Sequence, residues 1–292
     1  MRKMILGTVQ LGMNYGINNQ SGMPEKSVSN QILGYAYDNS VRCLDTASAY
    51  GVSEQIIGEF IKATGKQFAI CTKLAVELDE YNIDEELKGS IERLSTKNIY
   101  LLYLHRFEQC KNKKLMQRLV NLKLEGIIKN IGISIYEPKE LEYIINKLSG
   151  IVNYVQIPFN LLDNARWLDN DLLLRARNTH ISIATRSVYL QGLFFLDEEN
   201  LKKNKVKAYD SVMMLREIAK QNHMSVAQLA VNFVNSFEEI GSYLLGVETL
   251  EQLKDNIIID NNISILSNDI LEQIYDISRK VDANIIDPRK WS

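Results

Sequence analysis

Cysteine is scarce in this chain: Cys43, Cys71 and Cys110 are the whole complement. Their spacing suits no metal site, and Cys43 and Cys71, set inside apolar runs, read as small buried thiols. An odd count with no leader sequence points to a reducing cytoplasm rather than a disulfide-stapled secreted fold. Excess charge is lacking too. Lys and Arg number 34 against 36 Asp and Glu. That balance gives no electrostatic reason to expect nucleic acid or an anionic membrane as partner. The opening "MRKMILGTVQLG" breaks after a short apolar stretch, so it reads as neither signal peptide nor membrane span. Proline numbers only four and falls near element edges; nothing resembles a linker or a low-complexity segment. Several catalytic signatures are also missing. "GTVQLG" is not the GxGxxG of a dinucleotide fingerprint. Met13 and Asn14 follow Gly12 where a phosphate loop needs Lys and Ser or Thr. There is no HExxH, no serine or cysteine elbow and no cluster of metal ligands, so no metal is expected.

What remains is a regular alternation. Eight short runs rich in Ile, Val, Leu and Tyr read as strands: 4–9, 41–45, 68–73, 99–105, 130–134, 152–157, 181–187 and 241–246. Most lack polar alternation, as expected of strands covered on both faces. Amphipathic stretches lie between them, among them "SVSNQILGYAYDN", "NIDEELKGSIERL", "EPKELEYIINKL" and "VMMLREIAKQ". Ser53, Asn82 and Ser225 stand where helix caps are wanted. Eight strand–helix units in 292 residues predict an α/β fold of the (β/α)8 (TIM) barrel type. It is expected to be a single domain over 1–292, with an extra C-terminal helix from about 266 and a tail. A doubly wound open sheet competes but lacks its glycine fingerprint. The longest irregular stretch is expected at 188–206, after the seventh strand.

In such a barrel chemistry collects at the C-terminal strand ends. Those ends read Asp45, Lys73, His105, Ser134, Gln156 and Arg186. Singly, each has a plain explanation as a turn, cap or solvated residue. Asp45, Lys73 and His105, however, end three successive strands, and Tyr50 lies in the loop after the first of them. Neighbouring strand ends lie about 5 Å apart, so the four groups would meet at one mouth. An ammonium beside a phenol is expected to lower the tyrosine pKa, while a carboxylate keeps the lysine charged. A proton donor with neither nucleophile nor metal suits carbonyl reduction, in which a cofactor brings the hydride. A barrel lyase using Lys73 as a Schiff base fits less well, because Asp45 should hold that amine charged.

These segments also carry a resemblance. "LDTASAYG", "CTK", "YLLYLHR", "NIGIS", "VQIPFN", "TRSVYLQGL" and "LLGVETLEQLKDN", in this order and spacing, resemble the aldo-keto reductase family over nearly the whole chain. The resemblance implies a barrel that binds NAD(H) or NADP(H) in extended form without a Rossmann motif. It implies Tyr50 as the general acid, Lys73 as its tuning partner, Asp45 as the partner of Lys73, and His105 as the group orienting the carbonyl. By the same resemblance Gly7, Thr8 and Asp45 border the cofactor, Ser134 and Gln156 hold its carboxamide, and Arg186 lies by the nicotinamide ring. Ser187, Tyr189, Gln191 and Gly192 would cover the pyrophosphate. Gly246, Val247, Glu248, Gln252 and Asn256 would cradle the adenosine end. A cofactor-sensing protein of the same fold with little turnover is the alternative function.

Several positions depart from the family pattern. Ile135 replaces the usual Asn after the fifth strand, "YGVSE" is shorter than YGxGxSE, and an N-terminal hairpin looks absent or vestigial. Glu248 and Gln252 stand where NADP-dependent members place basic residues. Glu248 would repel a 2′-phosphate and accept a bond from a free 2′-hydroxyl. If Glu248 faces solvent, Lys254 could serve a phosphate instead, so both cofactors stay open. Nothing in the sequence fixes the substrate beyond a small-molecule carbonyl, with a sugar-type carbonyl compatible, nor the oligomeric state. Trp167 and Trp291 are candidates to line the mouth.

Overall fold

In the computed structural model, which describes residues 4–74, 77–204 and 206–291, eight parallel strands close into a barrel in sequence order. They are β1 (Met4–Gly7), β2 (Cys43–Asp45), β3 (Ala69–Lys73), β4 (Ile99–Leu104), β5 (Ile128–Ser134), β6 (Tyr154–Pro158), β7 (Ser182–Arg186) and β8 (Ile240–Gly246). The (β/α)8 expectation holds, with every predicted strand present and no edge moved by more than two residues. β1 is shorter than expected because Val9–Gly12 turns into a short helix.

The register explains how a functional mouth arises. Side chains alternate across a strand, so every second residue points into the barrel. Asp45 pairs with Cys71 and Cys71 with Leu101. Ile5, Cys43, Cys71, Leu101 and Tyr103 form a small buried cluster of their own. One pleat further along β2 and β3 come Asp45 and Lys73. Gly132 on β5 makes room here: a Cβ on it would lie 2.5 Å from the Tyr103 ring. The larger core lies between the strands and the surrounding helices and includes Leu6, Leu44, Ile70, Leu102, Ile131 and Val155, all nearly inaccessible. Cys43, Cys71 and Cys110 are all buried and free.

Local chemistry sets the helices. Ser225 is a true cap: its hydroxyl accepts from the Gln228 N–H, and Gln228 reaches back to the Ser225 N–H. Ser53 is not. The helix Ser53–Thr64 already contains it, and its buried hydroxyl donates to Thr8, tying the helix to β1. Asn82 precedes Ile83–Arg93, but its side chain serves the preceding turn, accepting from Asp79 and donating to Glu77. The stretch after β7 is more ordered than expected. Residues Leu190–Phe195 form 3-10 turns kinked at Gln191 and Gly192, both at positive φ, and Glu198–Asn204 a helix; Lys205 falls outside the described residues. The expected C-terminal helix spans Asn268–Ser278 and is followed by a short turn at Pro288–Lys290. No helix among the described residues is long and apolar enough to cross a membrane.

Candidate active site

Asp45 and Lys73 meet at the barrel mouth. Lys73 Nζ donates to Asp45 Oδ1 at 2.6 Å, and both side chains are nearly fully buried. Lys73 also donates to the Thr46 carbonyl, while Gln156 Nε2 donates to Asp45 Oδ2 at 2.9 Å. The carboxylate is thus held from both sides. Burial pulls the Lys73 pKa down, but Asp45 and Tyr50 outweigh it and leave the ammonium more firmly protonated than a free lysine.

Tyr50 places its ring 5.4 Å from Lys73 Nζ. The expectation of a lowered tyrosine pKa is corrected by the structure. Burial of the phenol outweighs the pull of Lys73, so the Tyr50 pKa rises. Tyr50 therefore holds its proton at neutral pH. The short "YGVSE" turn still delivers it to the mouth because the backbones approach closely. Val52 N–H donates to the Gly12 carbonyl, and a Cβ on Gly12 would lie 1.9 Å from the Tyr50 carbonyl oxygen. Gly51 takes a positive φ of 54° in this turn. His105 follows β4. Burial, then the charges of Lys73 and Arg186, pull its pKa down to about 4, so the ring is neutral. Its buried Nδ1 has no protein partner.

These four groups line one end of a cavity of about 570 Å³. Gly7, Thr8, Ser134 and Gln156 line it beside them, as does Arg186 at the end of β7. From there it runs past Ser187, Tyr189, Gln191 and Gly192 to Gly246, Glu248, Gln252 and Asn256. Of the residues assigned by resemblance to catalysis or cofactor binding, Val247 alone does not line the cavity: it is buried in the core. Ile135 likewise packs in the core, and its carbonyl accepts a bond from Arg186. Neither tryptophan reaches the mouth. Trp167 is 1% exposed, and Trp291 donates from Nε1 to the carbonyls of Asn284 and Ile285. Lys254 does not line the cavity either; it pairs with Glu251 and lies near the Tyr35 ring.

Tyr15, Gln10 and Tyr136 line the cavity without having been singled out in the sequence. Tyr15 belongs to a loop that crosses the cavity. Gln191 Nε2 donates to its hydroxyl at 3.0 Å, and the Ile17 N–H donates to the Gln191 carbonyl. "NYG", just past the short Val9–Gly12 helix, was the available signal, but a loop contact with residue 191 is not encoded locally.

The cavity fits a nicotinamide dinucleotide on its own features. Gly7 and Gly246 pair across β1 and β8 and both line the groove as bare backbone, with the Gln10 side-chain amide packed against Gly246. Gln156 Oε1 and Gln10 Oε1 are buried acceptors without protein partners, and both residues line that groove. Among the described residues no group of three His, Cys, Asp or Glu is placed to hold a metal.

Fold and site together describe a barrel with Asp45, Tyr50, Lys73 and His105 gathered at its mouth and a long groove beside it. A sequence profile of the Aldo/keto reductase family matches residues 3–276. The chain belongs to the aldo-keto reductase family and is an NAD(P)-dependent oxidoreductase of carbonyl compounds. It is 24% identical over 292 aligned residues to D-arabinose 1-dehydrogenase of Saccharomyces cerevisiae, covering 91% of this chain and 84% of that one. It is 23% identical over 286 residues to an L-glyceraldehyde 3-phosphate reductase of Escherichia coli, covering 82% and 81%. The fold matches the holo form of an aldo-keto reductase from Bacillus halodurans with a TM-score of 0.77 at 18% identity, over 98% of this chain and 95% of that one.

Proposed function

We infer that the protein reduces an aldehyde or ketone to an alcohol with NADH, and that Tyr50 gives the carbonyl oxygen its proton. The observation that carries the reading is the buried Asp45–Lys73 pair directly beneath the Tyr50 ring. A reduced nicotinamide, when bound, supplies the hydride. Tyr50 starts protonated because its pKa is raised, and a phenol is far more acidic than the alcohol that forms when it protonates the alkoxide. Lys73 stabilises the phenolate left behind, and Asp45 keeps Lys73 charged throughout. Neutral His105 donates a hydrogen bond to the carbonyl oxygen and orients it. Ser134 and Gln156 would hold the carboxamide; the unpartnered Gln156 Oε1 would accept from its amide. Ser187, Tyr189, Gln191 and Gly192 would cover the pyrophosphate.

The choice of NADH rests on the far end of the groove. Lys73 and Arg186 are the basic residues of the lining, and both stand at the catalytic end. At the other end Glu248 is bound to Gln252 in both directions: Gln252 Nε2 donates to Glu248 Oε2, and the Glu248 N–H donates to Gln252 Oε1. Asp255 adds a second carboxylate. A 2′-phosphate would meet two negative charges and no cation. A free 2′-hydroxyl could donate to Glu248. Titrating both cofactors against the wild type and Glu248→Arg tests this. NADH should bind the wild type more tightly, and the variant should gain about 10- to 100-fold in NADPH affinity, the worth of a charge-assisted bond. Preferential NADPH binding by the wild type would end the argument.

A further inference from the structure

The charges at the catalytic mouth do not cancel. Lys73 is neutralised by Asp45. His105 is neutral. Arg106, next in sequence, turns outward to Glu77. Arg289, on the C-terminal tail, is forked by Asp287 at 2.8 and 2.7 Å. Arg186 stands apart from all of these. It lines the cavity, half-buried. No carboxylate among the described residues pairs with it: its hydrogen bonds are two long ones, to the Ile135 carbonyl at 3.4 Å and the Ser187 hydroxyl at 3.5 Å. Asp163, on whose carboxyl the Arg186 charge acts, is already forked by Arg166 at 2.6 and 2.8 Å.

The guanidinium is nonetheless held in place. It lies 4.2 Å from the centre of the Tyr136 ring, and Arg289 lies 3.4 Å from the same centre. Tyr136 therefore anchors Arg186 by stacking while leaving most of its five N–H donors unused. Its charge acts on Tyr50, Tyr15 and His105, which places it on the proton-transfer side of the cavity. A half-buried, oriented guanidinium without a counter-charge is a fork aimed at an anion.

We propose that Arg186 is a specificity-determining residue that binds an anionic group, a carboxylate or a phosphate, carried by the carbonyl substrate. This rests on the reductase reading of the same site and narrows it to acidic aldehydes and ketones. Tyr136 is its positioning residue. Lys73, the other cation lining this end, is already paired with Asp45, so the preference should follow Arg186.

The test separates the two readings. NADH binding and NADH oxidation with neutral aldehydes report on the reductase reading. Titration of oxalate and of inorganic phosphate by calorimetry, on the NADH-loaded and on the free protein, reports on Arg186 without turnover. The wild type should bind at least one of the two anions. Arg186→Gln should weaken that binding by about 10- to 100-fold beyond any change in NADH affinity. Arg186→Lys should fall between, since an ammonium lacks the fork. Tighter oxalate binding assigns a carboxylate substrate, and tighter phosphate binding a phosphate ester. In turnover, the preference for succinic semialdehyde over butyraldehyde, or for glyceraldehyde 3-phosphate over glyceraldehyde, should collapse by a similar factor in Arg186→Gln. Failure of the wild type to bind either anion overturns the proposal. So does a glutamine variant that loses anion and NADH affinity in equal measure, which would assign Arg186 to the cofactor.

Discussion

Replacing Asp45 with Asn removes one charge and almost no volume, and the structure dictates a large response. Lys73 Nζ and Asp45 Oδ1 are 2.6 Å apart, with side chains 2% and 4% exposed. At that separation and an effective dielectric near 20, the Coulomb attraction is about 6 kcal/mol. Desolvation of both groups offsets much of it, yet stripping one partner from a buried pair still costs about 3–5 kcal/mol, because the other charge is left buried alone. The pH dependence should also reverse in sign. In the wild type the folded pKa of Lys73 lies above its unfolded value. Its contribution is therefore complete below the unfolded pKa, near ~10.4, and lost as pH rises through the folded one. In Asp45→Asn burial acts without the carboxylate, so the folded pKa drops below the unfolded value. The variant then gains stability as pH rises through its lowered folded pKa, because the unfolded chain binds the proton that the native state has shed. Urea unfolding of both proteins at a series of pH values from neutral to about 10 measures this. The stability gap should narrow with rising pH. A variant within about 1 kcal/mol of wild type, with a parallel pH profile, would refute the reasoning.

Two further predictions concern the same mouth. His105, its pKa pulled down from 6.5 to about 4, should contribute stability in full above its unfolded pKa and lose it as pH falls through about 4; an NMR titration of the ring that gives a midpoint near 6.5 would contradict its burial. Gly12→Ala would drive a Cβ to within 1.9 Å of the Tyr50 carbonyl oxygen and 2.5 Å of the Ser53 nitrogen. It should lower the melting temperature by an amount equivalent to about 1–3 kcal/mol and reduce kcat by displacing Tyr50, whereas wild-type values for both would show that the turn can yield.

The barrel was legible because each strand is a dense apolar run, six of them stopped by a polar residue at the end, and that pattern survives any uncertainty in the strand edges. Asp45 and Lys73 could be paired from sequence because they end adjacent strands and parallel pairing brings them side by side. Other features depended on contacts between distant segments. Tyr15 reaches the groove by bonding Gln191, 176 residues away. Ser53 looked like a cap, yet its hydroxyl is spent on Thr8 across the core. Trp167 looked like a mouth residue and is core. The direction of the Tyr50 pKa was misjudged for a physical reason. Sequence shows which charge stands nearby, but the cost of burying the phenolate depends on enclosure, and here enclosure outweighs Lys73. The unbalanced charge of Arg186 was hidden in the same way, since its lack of a carboxylate partner emerges only once Asp163 is seen bound to Arg166.

The role given to Tyr50 is tested most directly by Tyr50→Phe, which removes one hydroxyl from a ring whose place is set by the Gly12–Gly51 turn. NADH binding, followed by fluorescence quenching, and steady-state NADH oxidation with a carbonyl substrate would be measured on the same preparation. The account predicts that NADH still binds and that turnover falls by about 10²- to 10⁴-fold, the share of a general acid. A phenylalanine variant that reduces the carbonyl at the wild-type rate would contradict it.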